Sequence, residues 1–305
     1  MPGGKGKDKV ARALMSGAYD VYNNFWGDIQ VDRATTYESK LAKKNIKECL
    51  KINDKQKNLF DRNYPSIELY ELLNERHAKF IMRLSVNDYI NERKQMKKDD
   101  EIIEIQYNSY RKYHFMKKKP EVYKKIKDKT GIKLRIVNIK LNSGETETLI
   151  TNILTKKFNA ENFKEIYHAR WKIEEGYNSL KNKLKIEKFT GKLPIFIYQD
   201  TYAQVLVYNQ LQDMLKEGNQ ILKKKYNEKK LKYEYKINEN KAIGLYKEQF
   251  IRIMLIENKE IAVKQFEKLV EEMTKFVSVV RKNRNSTERR FIYSNKYHSN
   301  RGASF

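Results

Sequence analysis

The stretch YHARWKIEEGYNSLK, Tyr167 to Lys181, sets two adjacent glutamates among Arg170, Lys172 and Lys181, in a chain of formal net charge +25. A helix advances about 100° per residue, so Tyr167, Arg170, Glu174 and Lys181 fall within roughly 60° of one another on one face. Glu175 points about 100° away from Glu174. Phe163, Ile166, Ile173, Tyr177, Leu180 and Leu184 form an apolar stripe beside the polar one, as a core helix requires. Geometry leaves two readings of Glu174 open: solvated ion pairs with Arg170 and Lys181, or a carboxylate held for chemistry. A second carboxylate, Asp61, ends the short apolar run in KNLFDRNYPS. It reads either as a turn aspartate bonded to its own backbone or as a ligand at the carboxyl end of a strand, where α/β sheets open their crevice. Two such carboxylates can hold Mg²⁺, which takes few protein ligands and keeps waters or phosphate oxygens in its octahedral shell. A basic surface around an acidic pair suits phosphodiester chemistry.

The elements that would position these residues follow from the pattern along the chain. ALMSGAYDVYNNFWGDIQVDR reads as a β-hairpin turning at Asn23-Asn24, a pair tolerant of positive φ. A helix over YESKLAKKNIKECLK, the strand before Asp61, a helix over SIELYELLNERH and a strand at KFIMRLS come next, giving strand, strand, helix, strand, helix, strand. From about Asn87 to Thr155 short β runs dominate: EIIEIQY, KLRIVNIKL and ETLITNIL, the last two joined by a turn at NSGE. The lysine-rich KYHFMKKKPEVYKKIKDKTG between them reads as a basic loop. The glutamate helix breaks at Gly191 and Pro194 and a long helix follows. The remainder is mostly helical, with EQFIRIML and FEKLVEEMTKFVSVV as its apolar-periodic segments.

Composition bounds the function. With 40% hydrophobic and 12% aromatic residues, 305 residues can bury a real core. A single cysteine, Cys49, excludes an intramolecular disulfide framework, and four scattered histidines offer no Cys/His zinc spacing. There is no apolar signal region at the N-terminus and no run of about 18 apolar residues, so a soluble cytoplasmic protein is expected. The positive balance points to nucleic acid as partner, although Lys, Asn, Ile and Tyr also have A/T-rich codons. A membrane-binding basic helix with Trp, Phe or Leu on one face is absent from the pattern.

FDRNYPS together with Tyr167-x2-Arg170-x3-Glu174-x6-Lys181 resembles the DDE transposases of bacterial insertion sequences, specifically the insertion-sequence-four group. Further similarity runs through IEKFTGKLPIFIYQD, YKINENKAIGLYKEQF and KYHSNRGASF, covering about Ala13 to Phe305. The resemblance implies an α/β, ribonuclease-H-like mixed sheet with a β insertion and a helical C-terminal tail. The corresponding boundaries are residues 1–86 for the first part of the core, 87–155 for the insertion, 156–217 for the glutamate helix and the core helix after it, and 218–305 for the helical tail. It further implies that Asp61 and Glu174 are catalytic and bind metal, Mg²⁺ with Mn²⁺ as substitute. Tyr167, Arg170 and Lys181 would face DNA. The partner would be double-stranded DNA, both the element's terminal repeats and its target, and the resemblance admits a homodimer in the DNA complex. The reaction would be metal-dependent phosphodiester cleavage and strand transfer at the element's ends.

The sequence departs from the family in one place. The family's first aspartate stands on a central strand ahead of the hairpin, and here only MPGGKGKDKVAR precedes it, a poor strand by its glycines, proline and lysines. The first strand and its aspartate are therefore expected to be missing, with Asp20, Asp28 and Asp32 as the substitutes available. Strands two and four would then each carry an unpaired edge unless they pair with each other. Two functions follow: an active transposase, or a truncated, catalytically inactive protein that binds only DNA or a full-length transposase.

Overall fold

A computed structural model describes residues 13–49, 56–141, 143–191, 193–227 and 233–280. The glycine- and lysine-rich start and the terminal KYHSNRGASF lie outside the described residues. The chain divides into two compact units, Met1–Tyr22 with Trp26–Glu175, and Asn23–Phe25 with Gly176–Phe305.

The first unit runs β1 (Ala13–Asp20), β2 (Phe25–Arg33), α1 (Glu38–Cys49), β3 (Lys57–Phe60), α2 (Ile67–Glu75), β4 (Lys79–Arg83), α3 (Ile90–Lys94), β5 (Asp100–Gln106), α4 (Ser109–Lys118), α5 (Pro120–Ile126), β6 (Gly131–Lys140), β7 (Thr146–Thr151), α6 (Ala160–His168) and the start of α7 (Lys172–Asn178). The expected order of the first six elements is the observed one. Asn24 takes the positive φ, 59°, that the hairpin turn needs. Within β1, a side chain on Gly17 would collide with the Trp26 ring, so only glycine lets that indole lie against the strand.

β3 to β7 form a five-stranded mixed sheet in the order β3-β4-β7-β6-β5, with β3 and β4 parallel and the other pairs antiparallel. The hairpin forms a separate two-stranded sheet, so among the described residues it does not pair with β3, which ends the larger sheet. Side chains alternate across that sheet. Phe80, Met82, Leu134, Ile136 and Ile150 face one core with Tyr70 and Leu73 of α2 and Ile126 of α5. Ile81, Val137, Ile139 and Leu149 face a second core with Phe163 and Tyr167 of α6. The sheet is thus buried on both faces, and α6 is seated on it by two aromatic rings.

The lysine-rich segment between β5 and β6 is not a loop but two helices. The Asn108 side chain accepts from the Arg111 amide and starts α4, and Pro120 opens α5 with its φ already suited to a first helical turn. These local caps outweigh the charge repulsion that made the run look irregular. Glu68, in the first turn of α2, takes Lys43 from α1 and Lys119 from the α4–α5 junction. Burial pushes its carboxyl up, but the two ammonium groups outweigh that and hold it below the ordinary glutamate value. A depressed carboxyl contributes stability above the unfolded value and loses it as the pH falls through the folded one. Glu68→Gln is therefore expected to cost about 1 kcal/mol at pH 7 and to flatten the decline in melting temperature below about pH 5. An unchanged acid limb in a thermal melt series would count against this clamp.

The second unit contains α8 (Pro194–Asn227), β8 (Glu234–Ile237), α9 (Glu239–Met254), α10 (Lys259–Met273) and β9 (Val277–Val280). Leu211, Met214, Leu222, Phe250, Leu269 and Met273 are buried in it. The end of the expected helix FEKLVEEMTKFVSVV is instead a strand: α10 stops at Met273, and the valine-rich run Val277–Val280 pairs antiparallel with β8.

Candidate active site

Asp61 follows the last residue of β3 and begins a turn. Its Oδ1 accepts the Arg62 amide at 2.7 Å and its carbonyl accepts the Tyr64 amide at 3.2 Å. Both readings of this aspartate are therefore compatible with its place: it shapes the turn and it sits at a strand's carboxyl end.

The preceding residue connects β3 to the glutamate helix. Tyr167 is buried, and its hydroxyl donates to the Phe60 carbonyl at 3.1 Å. Burial pushes that hydroxyl well above the ordinary tyrosine range, with Arg170 opposing the shift and the charges of Asp61 and Glu147 adding to it. Arg170 lies against the same ring, 5.8 Å from its centroid, and 5.0 Å from that of Trp171. Its side chain is only 12% exposed, and its Nη2 reaches Glu174 Oε1 at 3.4 Å. Its Nε is buried with no hydrogen-bond partner. Glu174 is 51% exposed, and Glu175 is exposed as well.

The helix carrying these residues is not uniform. A 3₁₀ turn at Ala169–Trp171 separates α6 from α7, and a π turn at Ser179–Lys183 follows α7. The constant 100° advance holds only in pieces, and π turns recur where function needs a side chain displaced from regular helical register. Lys181 stands in the π turn, in the second unit, where it is half-exposed and 3.5 Å from Glu187. Lys172, in α7, donates to the Val21 carbonyl at 3.0 Å.

Two further charged residues belong to this neighbourhood and were not singled out from the sequence. Arg83 at the end of β4 and Glu147 on β7 pair at 3.4 Å, and both act electrostatically on the Tyr167 hydroxyl. Pairing of β4 with β7 brings them together, and no spacing along the chain signals it. The hairpin aspartates are engaged locally. Asp20 accepts the Tyr22 amide, Asp28 accepts from the Gln30 side chain, and Asp32 accepts the Arg33 amide, which holds its carboxyl below the ordinary range. Among the described residues no group of three His, Cys, Asp or Glu side chains is placed to hold a metal ion.

The arrangement can do two things chemically. It offers carboxylates at a strand end and on a helix linked to that strand through Tyr167, and it holds a desolvated guanidinium, shaped for bidentate phosphate contact, beside one of them. No curated protein matches the chain. The five-stranded mixed sheet with its helices and helical C-terminal region is consistent with the ribonuclease-H-like fold of DDE transposases. The family model described as Transposase DDE domain matches residues 5–210, more than half of the chain, which therefore belongs to that family.

Proposed function

We propose that the chain is the DNA transposase of an insertion sequence of the insertion-sequence-four group, cutting phosphodiesters at the element's ends and joining them to target DNA. The observation that carries this reading is the link from Asp61 to Glu174: Tyr167 bonds the residue before Asp61, and Arg170 bridges the Tyr167 ring to Glu174. Tyr167, Arg170 and Glu174 are the first three residues of the spacing Tyr167-x2-Arg170-x3-Glu174-x6-Lys181, and their contacts support this reading. Arg170 and Lys181 supply positive charge for phosphates of the terminal repeats, and Tyr167 fixes the helix against β3. Joining two ends suits a homodimer on the DNA, acting in the cytoplasm.

DDE transposases generally use divalent metal ions. The described residues fit such a centre only in part, since they supply Asp61 and Glu174 without a third grouped ligand. We therefore derive no step through a metal. What this chain's own residues do is orient and neutralise: Arg170 holds the Glu174 carboxylate, and the Asp61 turn fixes the end of β3.

The same incomplete ligand set favours a second reading, a protein that binds element DNA or a transposase without cutting. A nicking assay separates the two, using a plasmid that carries the DNA flanking the chain's own reading frame, with Mg²⁺ or Mn²⁺. The transposase reading expects cleavage at the ends that disappears in both Asp61→Asn and Glu174→Gln. Specific end binding without cleavage would establish the second reading, and cleavage that survives Glu174→Gln would remove Glu174 from the chemistry.

A further inference from the structure

Helix α4 presents a face that the fold does not use. No residue of α4 is buried, yet the helix is fixed from one side. Arg111 donates to Glu92 and to the Gln106 carbonyl, Lys112 donates to the Lys127 carbonyl, and Phe115 packs on the core beneath. At about 100° per residue, Tyr113, Lys117, Tyr110 and His114 lie within roughly 100° of one another on the opposite side. Tyr110 is 78% exposed and Tyr113 52%, and the Lys117 ammonium sits 4.7 Å from the Tyr113 ring centroid.

The charge around this face narrows what could cover it. Residues 109–129 contain nine Lys or Arg against two acidic residues. Most of the lysines are already matched: Lys119 by Glu68, Lys124 by Glu121, Lys125 by Glu75, Lys127 by Asp128 and Lys129 by Glu71. Among the described residues no carboxylate pairs with Lys117 or Lys118. The surface left over on this face therefore consists of two projecting rings with the Lys117 ammonium beside them, not a field of lysines. Rings stack on unpaired bases while cations track the phosphates, whereas in a duplex the base faces are already stacked. A membrane would call for Trp, Phe or Leu on this face.

We propose that the Tyr110–Tyr113–Lys117 face of α4 binds single-stranded DNA, as a surface separate from the Arg170–Glu174 site. The proposal rests on the reading of the chain as a DNA-processing protein and adds an unpaired strand to its substrates. Cutting and joining expose such strands next to the duplex ends.

The test measures fluorescence anisotropy of the full chain with a labelled 20-nucleotide oligothymidylate, a 20-base-pair duplex, and phosphatidylserine-containing vesicles. Tyr110→Ala/Tyr113→Ala should weaken oligothymidylate binding tenfold or more, since each base–aromatic stack lost to alanine changes affinity by about fivefold to a hundredfold. Tyr110→Phe/Tyr113→Phe should bind like the parent, because the rings remain, and also shows that the fold tolerates change at these positions. Tyr110→Ala/Tyr113→Ala should leave duplex binding unchanged, which separates failure here from failure of the active-site reading. Equal oligothymidylate affinity in the alanine pair and the parent would overturn the proposal. So would a loss confined to duplex or vesicle binding.

Discussion

Raising the salt from 50 to 200 mM is expected to weaken binding of this protein to duplex DNA by about 10³ to 10⁵-fold, if six to ten phosphates are neutralised. The family implies DNA as partner, and the chain carries 64 Lys and Arg against 39 Asp and Glu. Each phosphate contact releases condensed counterions, so the logarithm of affinity should fall with the logarithm of salt by about 0.9 per contact. The structure sorts the cations for this purpose. Lys181 is half-exposed with its partner Glu187 at 3.5 Å, a pair that water and a phosphate can readily replace. Lys172 is engaged by the Val21 carbonyl. Lys181→Ala should therefore lower the slope by about 0.9, whereas Lys172→Ala should leave it nearly unchanged. Affinity that varies less than tenfold across the salt range would mean that contacts other than phosphates hold the duplex. Equal slope changes in the two variants would mean that bulk charge, not position, is at work.

The largest loss of stability is expected from Arg135→Ala. Arg135 is a buried cation on β6, and it meets Asp100 of β5 with two parallel bonds, Nε to Oδ1 at 2.6 Å and Nη2 to Oδ2 at 2.5 Å. It also donates to the carbonyls of Thr155 at 2.7 Å and Phe158 at 2.8 Å, and lies 5.1 Å from the Phe163 ring centroid. Removing it strands a carboxylate and two carbonyls and leaves a void under Phe163, at a cost of about 3 kcal/mol or more. In a unit of this size that lowers the melting temperature by roughly 6–12 °C. The two carbonyls belong to the segment that leads into α6, whose start is capped by Asn159. Amide exchange over residues 155–168 should therefore rise more than over β3 and β4, which makes Arg135 a positioning residue for the glutamate helix. Arg135→Lys keeps the charge but not the planar fork, so it should recover only part of the loss. A shift below about 2 °C in Arg135→Ala would show that water satisfies these groups in the parent.

By itself the sequence determined the local elements. Alternation, caps and turn residues act within a few positions, so the hairpin at Asn23-Asn24, the strand before Asp61, the helix after Ser66 and the break at Pro194 were all legible. The spacing around Glu174 was legible for the same reason, and it carried the family. Tertiary structure decided what those residues touch. That Tyr167 turns inward to the Phe60 carbonyl depends on α6 lying across a sheet whose strands come from positions about a hundred residues apart. Arg83 and Glu147 meet only because β4 pairs with β7, and Arg135 becomes a buried anchor only when β5 and β6 pair. Even the lysine-rich segment, whose two helices start on local signals, gains partners from elsewhere: Glu68, Glu75 and Glu71 of α2, far back in the chain, take Lys119 at the α4–α5 junction, Lys125 of α5 and Lys129 after it. Periodicity reports which side of an element is apolar, but the choice of charged partner is set by long-range pairing, which no window along the chain contains.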